Sequence, residues 1–219
     1  MLKTKNKIIL SFPRNRESAF YQQFLVFFLL FAINLQAQTS TFYTKSDTLN
    51  IKRKNAVIIT KSTLAVGALI GLDKLWYSEH PRSSFHFIND NKQWKQMDKI
   101  GHLMTSYYVG KTGMEVLDWA GVSKKNQLIY GATFGFTFLT AVEVLDGFSK
   151  KWGASWGDII ANASGTGLLI GQEILWEEQR ITLKYSFHPT EFAEIRPNNL
   201  GNTFLQKTFQ NYNGKHYWL

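Results

Sequence analysis

The sequence predicts a mainly α protein: a compact bundle of about four apolar helices, preceded by a signal peptide and followed by a short strand and an irregular tail. Three observations predict it. Apolar residues recur at the helical period, as at Ile100, Leu103, Met104 and Tyr107 and again at Met114 and Leu117, and not in the alternation of a strand. Four such segments are separated by short connections of the kind that join antiparallel helices. Three of the four repeat a glycine pair at a spacing of four, Gly67 and Gly71, Gly131 and Gly135, and Gly167 and Gly171. Each Gly in a helix costs about 1 kcal/mol relative to Ala, so the repetition points to Gly-x-x-x-Gly faces where backbones approach closely. Faces of that kind are the usual packing surface of helices in or against a membrane.

Residues 1–37 have the layout of a signal peptide. A basic leader runs into Phe24–Ile33, ten residues without a charged or polar side chain, and then into Asn34, Leu35, Gln36 and Ala37. The run is too short to span a bilayer, which takes about 20 residues, and suits a signal core with Ala37 as the last residue removed. The leader holds Lys3, Lys5, Lys7, Arg14 and Arg16 against Glu17, so four of the nine units of net positive charge belong to it. What remains is an ordinary surplus, which removes nucleic acid as a partner. Export to the periplasmic side of the cell envelope is the expected destination.

A polar tail is expected over 38–55, ending in Lys52-Arg53-Lys54. The helical domain, 56–180, should contain helices at 56–75, 94–119, 127–148 and 156–178. Lys61, Lys111, Glu143 and Asn162 lie inside these segments, and a charge at the bilayer centre costs about 3 kcal/mol. The bundle is therefore expected to be peripheral or partly inserted, with no crossing topology assigned. A C-terminal extension follows at 181–219. Ile181, Leu183, Tyr185 and Phe187 alternate with polar residues as in a half-buried strand, and the remainder, with Pro189, Pro197 and Asn198-Asn199, reads as loop. The chain stops on Tyr217-Trp218-Leu219, which looks like a longer protein cut short. With no Cys in the sequence, disulfides, thiolate metal sites and a Cys nucleophile are excluded.

Three pairs of polar residues stand one helical turn apart. Asp98 and His102 open the second helix with Lys99 between them, Glu143 and Asp146 close the third, and Asp158 and Asn162 follow Ser155 at the start of the fourth. In an antiparallel arrangement all three pairs come to one end of the bundle. Ser155 and Asp158 also form an S-x-x-D cap, which suits the positive end of a helix. Glu143 stands in the apolar stretch Leu139–Leu145, where a carboxylate needs a partner or a raised pKa, and His102 or Lys99 is the expected partner.

The segments D-K-I-G-H at 98–102, E-V-L-D-G at 143–147 and S-W-G-D-I-I-A-N-A-S-G at 155–165 resemble the YfiM-like family of predicted periplasmic lipoproteins, a domain of unknown function. The order D-K-x-x-H, then Glu, then D-x-x-A-N-x-x-G is also similar to VanZ-like membrane proteins. The resemblance covers roughly 90–175 and implies an envelope location. There is no Cys to carry a lipid, and Asp146 and Lys150 stand where VanZ-like proteins have Gln and Arg.

Three functions fit these residues. The polar cluster is structural, holding helix ends in register. Alternatively the chain is a hydrolase or transferase acting on a lipid or envelope intermediate, with His102 as general acid or base, Glu143 as its orienting partner or proton acceptor, and Asp158 with Asn162 holding substrate or metal. In that case a divalent ion on Asp98, His102, Glu143 and Asp158 is the version richest in oxygen ligands. No G-x-S-x-G, Walker lysine or H-E-x-x-H is present. Or the chain is a binding or assembly module whose aromatic and basic C-terminal part docks a partner or anionic lipid head groups, with a membrane or envelope lipid as the expected partner and Lys124-Lys125 and Lys150-Lys151 solvated in loops.

Overall fold

The computed structural model describes residues 42–75 and 77–219; the expected signal peptide lies outside them. The chain divides into Met1–Lys45 and Ser46–Leu219, and the second unit carries the fold. Its four long helices are α1 (Ile51–Leu75), α2 (Met97–Trp119), α3 (Lys124–Gly147) and α4 (Trp156–Trp176). The fold is mainly α, as the periodicity predicts. Helix α2 is central: it packs most extensively on α3 and then on α4, and α3 also packs on α4. Met104, Tyr107, Met114, Ala132 and Leu169 form the buried centre of that trio.

Close approach of backbones explains the packing, although not at all the glycines expected. A Cβ at Gly135 would collide with the Ser106 carbonyl of α2, and one at Gly131 would come within 2.8 Å of the Met114 backbone. The other two pairs are a correction. A side chain at Gly67, Gly71, Gly167 or Gly171 would meet nothing within 4 Å: Gly67 and Gly167 are exposed, and Gly71 borders the open space of a cavity between α1 and the other helices. The remaining tight contacts come from Gly110 and Gly113 of α2 and Gly165 of α4, each facing a backbone carbonyl of a neighbouring helix. Residues Gln127–Ala132 of α3 are wound as a π-helix. The Gln127 side chain anchors that turn by donating to Asp118 Oδ1 and to the Val122 carbonyl, both at 2.7 Å.

Helix α1 differs from the others. Val57 packs with Leu117, Ala120 and Val122, while Ile58, Ile59, Leu64, Val66 and Ile70 are each at least half exposed. Its start also corrects the expected tail. Asn50 Oδ1 accepts from the Arg53 amide at 3.1 Å, and the Arg53 guanidinium stacks over Trp119 and donates to its carbonyl. Lys52-Arg53-Lys54 thus open a capped helix instead of ending a free segment. Lys61, midway along α1, is placed over the Phe134 ring at 4.1 Å, with its ammonium 3.4 Å from the Tyr130 carbonyl.

Short strands close the ends. β1 (Phe87–Ile88) pairs in parallel with β2 (Ala154–Ser155), just before α4. The expected strand after α4 is present, shortened to β3 (Lys184–Phe187), and pairs antiparallel with β4 (Lys215–Trp218), Lys184 opposite Trp218. Between them the chain is not loop as expected. It forms α5 (Phe192–Ile195), α6 (Pro197–Leu200) and α7 (Phe204–Gln210), the last opened by a Thr203/Gln206 capping box. The alternating pattern that marks a strand and the 3.6-residue period that marks a long helix are both absent from pieces this short.

Candidate functional site

The start of α2, the end of α3 and the start of α4 meet, and the three polar pairs meet with them. Ser155 is the N-cap of α4. Its Oγ accepts from the Asp158 amide at 3.3 Å and donates to Asp90 Oδ1 at 2.6 Å, while its own amide donates to Glu143 Oε2 at 2.9 Å. The cap therefore ties α4 to the last turns of α3. Lys99 sits between carboxylates: its ammonium bonds Asp90, lies 3.1 and 3.2 Å from the two oxygens of Asp158, and lies 3.9 Å from Asp98. The His102 ring has Nδ1 3.1 Å from Asn162 Oδ1 and Nε2 3.7 Å from Glu143 Oε1. Of the two partners expected for Glu143, His102 is the one beside it.

Asp146 is the outlying member. It accepts from the Tyr77 hydroxyl at 2.7 Å and shares a cavity of about 930 Å³ with Asp98, Lys99, His102, Glu143 and Asp158. Ala68, Leu72, Val142 and Leu205 supply apolar wall to the same cavity. Ser155 and Asn162, expected as binding residues, lie behind this floor, each 2% exposed or less.

Asp90, Asp98, Glu143, Asp146 and Asp158 gather around Lys99 and His102, with Lys151 also on the cavity lining. Burial pushes the Glu143 carboxyl up to about 8, against the Ser155 amide that favours the ionised form and with Asp158, Asp146 and Asp98 adding repulsion. Burial likewise raises Asp146 to about 6, despite the Tyr77 hydroxyl. Burial also raises Asp90, but hydrogen bonds from Lys99 and Ser155 outweigh it and leave Asp90 below the usual carboxylate range. Asp158 stays raised, chiefly by burial. The two differ because Asp158 is the more deeply buried and is repelled by Asp98, whereas Asp90 takes the close hydrogen bond of Lys99 together with that of Ser155. For Lys99 itself, burial is outweighed by Asp90 and Asp158, and its pKa is raised.

Three contributors escape a reading of the sequence. Asp90 lies in the loop after β1 and is 9% exposed. Tyr77 reaches Asp146 from just beyond α1. The Tyr212 hydroxyl donates to Asp98 Oδ1 at 2.6 Å from 114 residues away. Sequence periodicity carries no signal for contacts across such separations, and all three residues sit in short turns.

Residues 86–170 match the family described as Predicted periplasmic lipoprotein (DUF2279). That span holds α2, α3, most of α4 and every member of the three polar pairs. The match supports an exported protein on the periplasmic side of the cell envelope that contains a domain of unknown function. No curated protein and no solved structure matches the chain.

Proposed function

We propose that this is a membrane-associated envelope protein whose polar cluster is a binding site for the polar head of an envelope amphiphile. The observation that carries the reading is the cavity: a charged floor built from three helices, with apolar walls contributed by α1, α3 and α7. A lipid-like molecule offers the same division, a polar end and an apolar body. Association with a membrane rests on α1 and on an aromatic group beside the site. Phe87 and Trp156 stack at 4.8 Å, and Phe85 packs edge-on to Phe87 and Phe148. All four rings are more than two-fifths exposed. Exposed aromatics and a mostly uncovered apolar helix suit the boundary between water and acyl chains. By length and composition α1 and α3 are each long and apolar enough to cross a membrane; Lys61 at the middle of α1, where a charge at the bilayer centre costs about 3 kcal/mol, favours a protein resting in the interface.

Native mass spectrometry of detergent-purified protein, titrated with phosphatidylethanolamine and with phosphatidylglycerol, tests the binding. One lipid per chain should be retained, and His102→Ala should lose it. Retention of neither lipid would count against the reading.

Catalysis is the second reading, favoured by one geometry. Asn162 holds one nitrogen of His102 while the other faces Glu143, as a general base and its proton partner require. A lipid-phosphate turnover assay separates the two: turnover abolished by His102→Ala supports catalysis, and binding without turnover supports a binding module.

A further inference from the structure

We infer that Asp98, His102 and Asp158 form a divalent-cation site, with the Lys99 ammonium standing in for the ion in the metal-free chain. One potential ligand atom from each of the three lies within 4.8 Å of the others. A histidine nitrogen with two carboxylate oxygens is a mixed donor set that suits Zn²⁺ or Mn²⁺. Three protein ligands also leave positions open for water or a head group. Glu143, expected as a ligand from its spacing, gives Oε2 to the Ser155 amide and has Oε1 3.7 Å from His102 Nε2, and it is not in the set.

A second observation, independent of that clustering, asks for a cation. The Asp158 side chain is 4% exposed, and its buried Oδ1 accepts no hydrogen bond. Among the described residues the contact that faces it is ionic, the Lys99 ammonium at 3.1 Å. That ammonium is already shared. It bonds Asp90 closely and lies 3.9 Å from Asp98, so one positive charge faces three carboxylates. Like charges left uncompensated in a site of low dielectric repel strongly, and a divalent ion would offset them while Lys99 keeps Asp90. The imidazole is also set for ligation. With Asn162 Oδ1 accepting from Nδ1, the lone pair is on Nε2, whose contact with Glu143 Oε1 is 3.7 Å and longer than a hydrogen bond; an outer hydrogen bond orients a metal-binding histidine in this way.

An ion there would also reconcile an acidic floor with an anionic lipid head, which the carboxylates alone would repel. The cation site does not depend on that reading. Lipid binding by a wild-type chain that takes up neither ion would leave the binding proposal standing and remove this one, and saturable metal binding without lipid binding would do the reverse.

The test is a titration of the EDTA-treated chain with Mn²⁺, followed by the loss of the free-ion electron paramagnetic resonance signal, and with Zn²⁺ by calorimetry. Saturable binding of one ion per chain is expected. Asp158→Asn and His102→Ala should weaken it by at least about tenfold, since even an outer-shell change costs 10 to 100-fold. Lys99→Met, which removes the resident cation, should bind more tightly than the wild type. Glu115→Gln, about four turns further along α2 and 62% exposed, should bind as the wild type does. The inference is overturned if the wild-type chain binds neither ion saturably, or if folded Asp158→Asn and His102→Ala bind unchanged. Where a variant fails to fold by circular dichroism, the wild-type titration decides alone.

Discussion

Glu143 is the residue on which burial and chemistry meet most directly. Its carboxyl is 2% exposed, accepts the Ser155 amide and is held up at about 8 chiefly by burial. The native state therefore holds a proton that the unfolded chain, with a pKa near 4.5, releases earlier. Stability from this group is full below about pH 4.5 and is lost as pH rises through about 8. Denaturation in EDTA across that window should show stability falling with pH. Glu143→Gln, which keeps an oxygen for the Ser155 amide and never ionises, should flatten the slope; an unchanged slope would show that Glu143 does not carry it. Asp146 adds a smaller fall of the same sign between about pH 3.8 and 6. At the rim, Tyr212→Phe removes a donor from Asp98 and should cost about 1 kcal/mol by thermal denaturation.

At the scale of elements, glycine separates two kinds of helix face. Gly135 lies against the Ser106 carbonyl with no room for a methyl group, whereas Gly67 and Gly171 have open space where a side chain would go. Gly135→Ala should therefore destabilise by about 1–3 kcal/mol through overpacking. Gly67→Ala and Gly171→Ala should each stabilise by up to about 1 kcal/mol through helix propensity, and melting temperatures of the three variants check the contrast. The same spacing in the sequence thus carries two meanings. Period locates a helix, but which face is covered depends on partners that local sequence does not encode, so the Gly131/Gly135 face is legible and the other two pairs mislead. The helices themselves are legible because α2, α3 and α4 bury one side. The tail is not: α5, α6 and α7 have seven residues or fewer, too short to show a period.

Across the whole molecule, the polar cluster and the exposed apolar surface belong to one design. The end of the bundle that gathers Asp98, His102, Glu143 and Asp158 also carries the exposed Phe87 and Trp156, and α1 offers both cavity wall and uncovered apolar side chains. Half of this arrangement can be read from spacing alone: the three one-turn pairs, the Ser155 cap and the need of Glu143 for a partner. Asp90, Tyr77 and Tyr212 complete it through contacts that only the folded chain creates. If α1 rests in the membrane interface, replacing Ile59, Leu64 and Ile70 together by Asn should release the protein from lipid vesicles in co-sedimentation while leaving its circular dichroism unchanged. Release without loss of fold is the expected outcome, and undiminished sedimentation would argue against α1 as the contact. The central claim, that the cavity receives an amphiphile, is tested most directly by filling it without touching its charged floor. Ala68→Trp places an indole on the α1 wall. Lipid retention by native mass spectrometry should fall by at least about tenfold, roughly 1.4 kcal/mol of binding, with the melting temperature unchanged; full retention by the folded variant would contradict binding in the cavity.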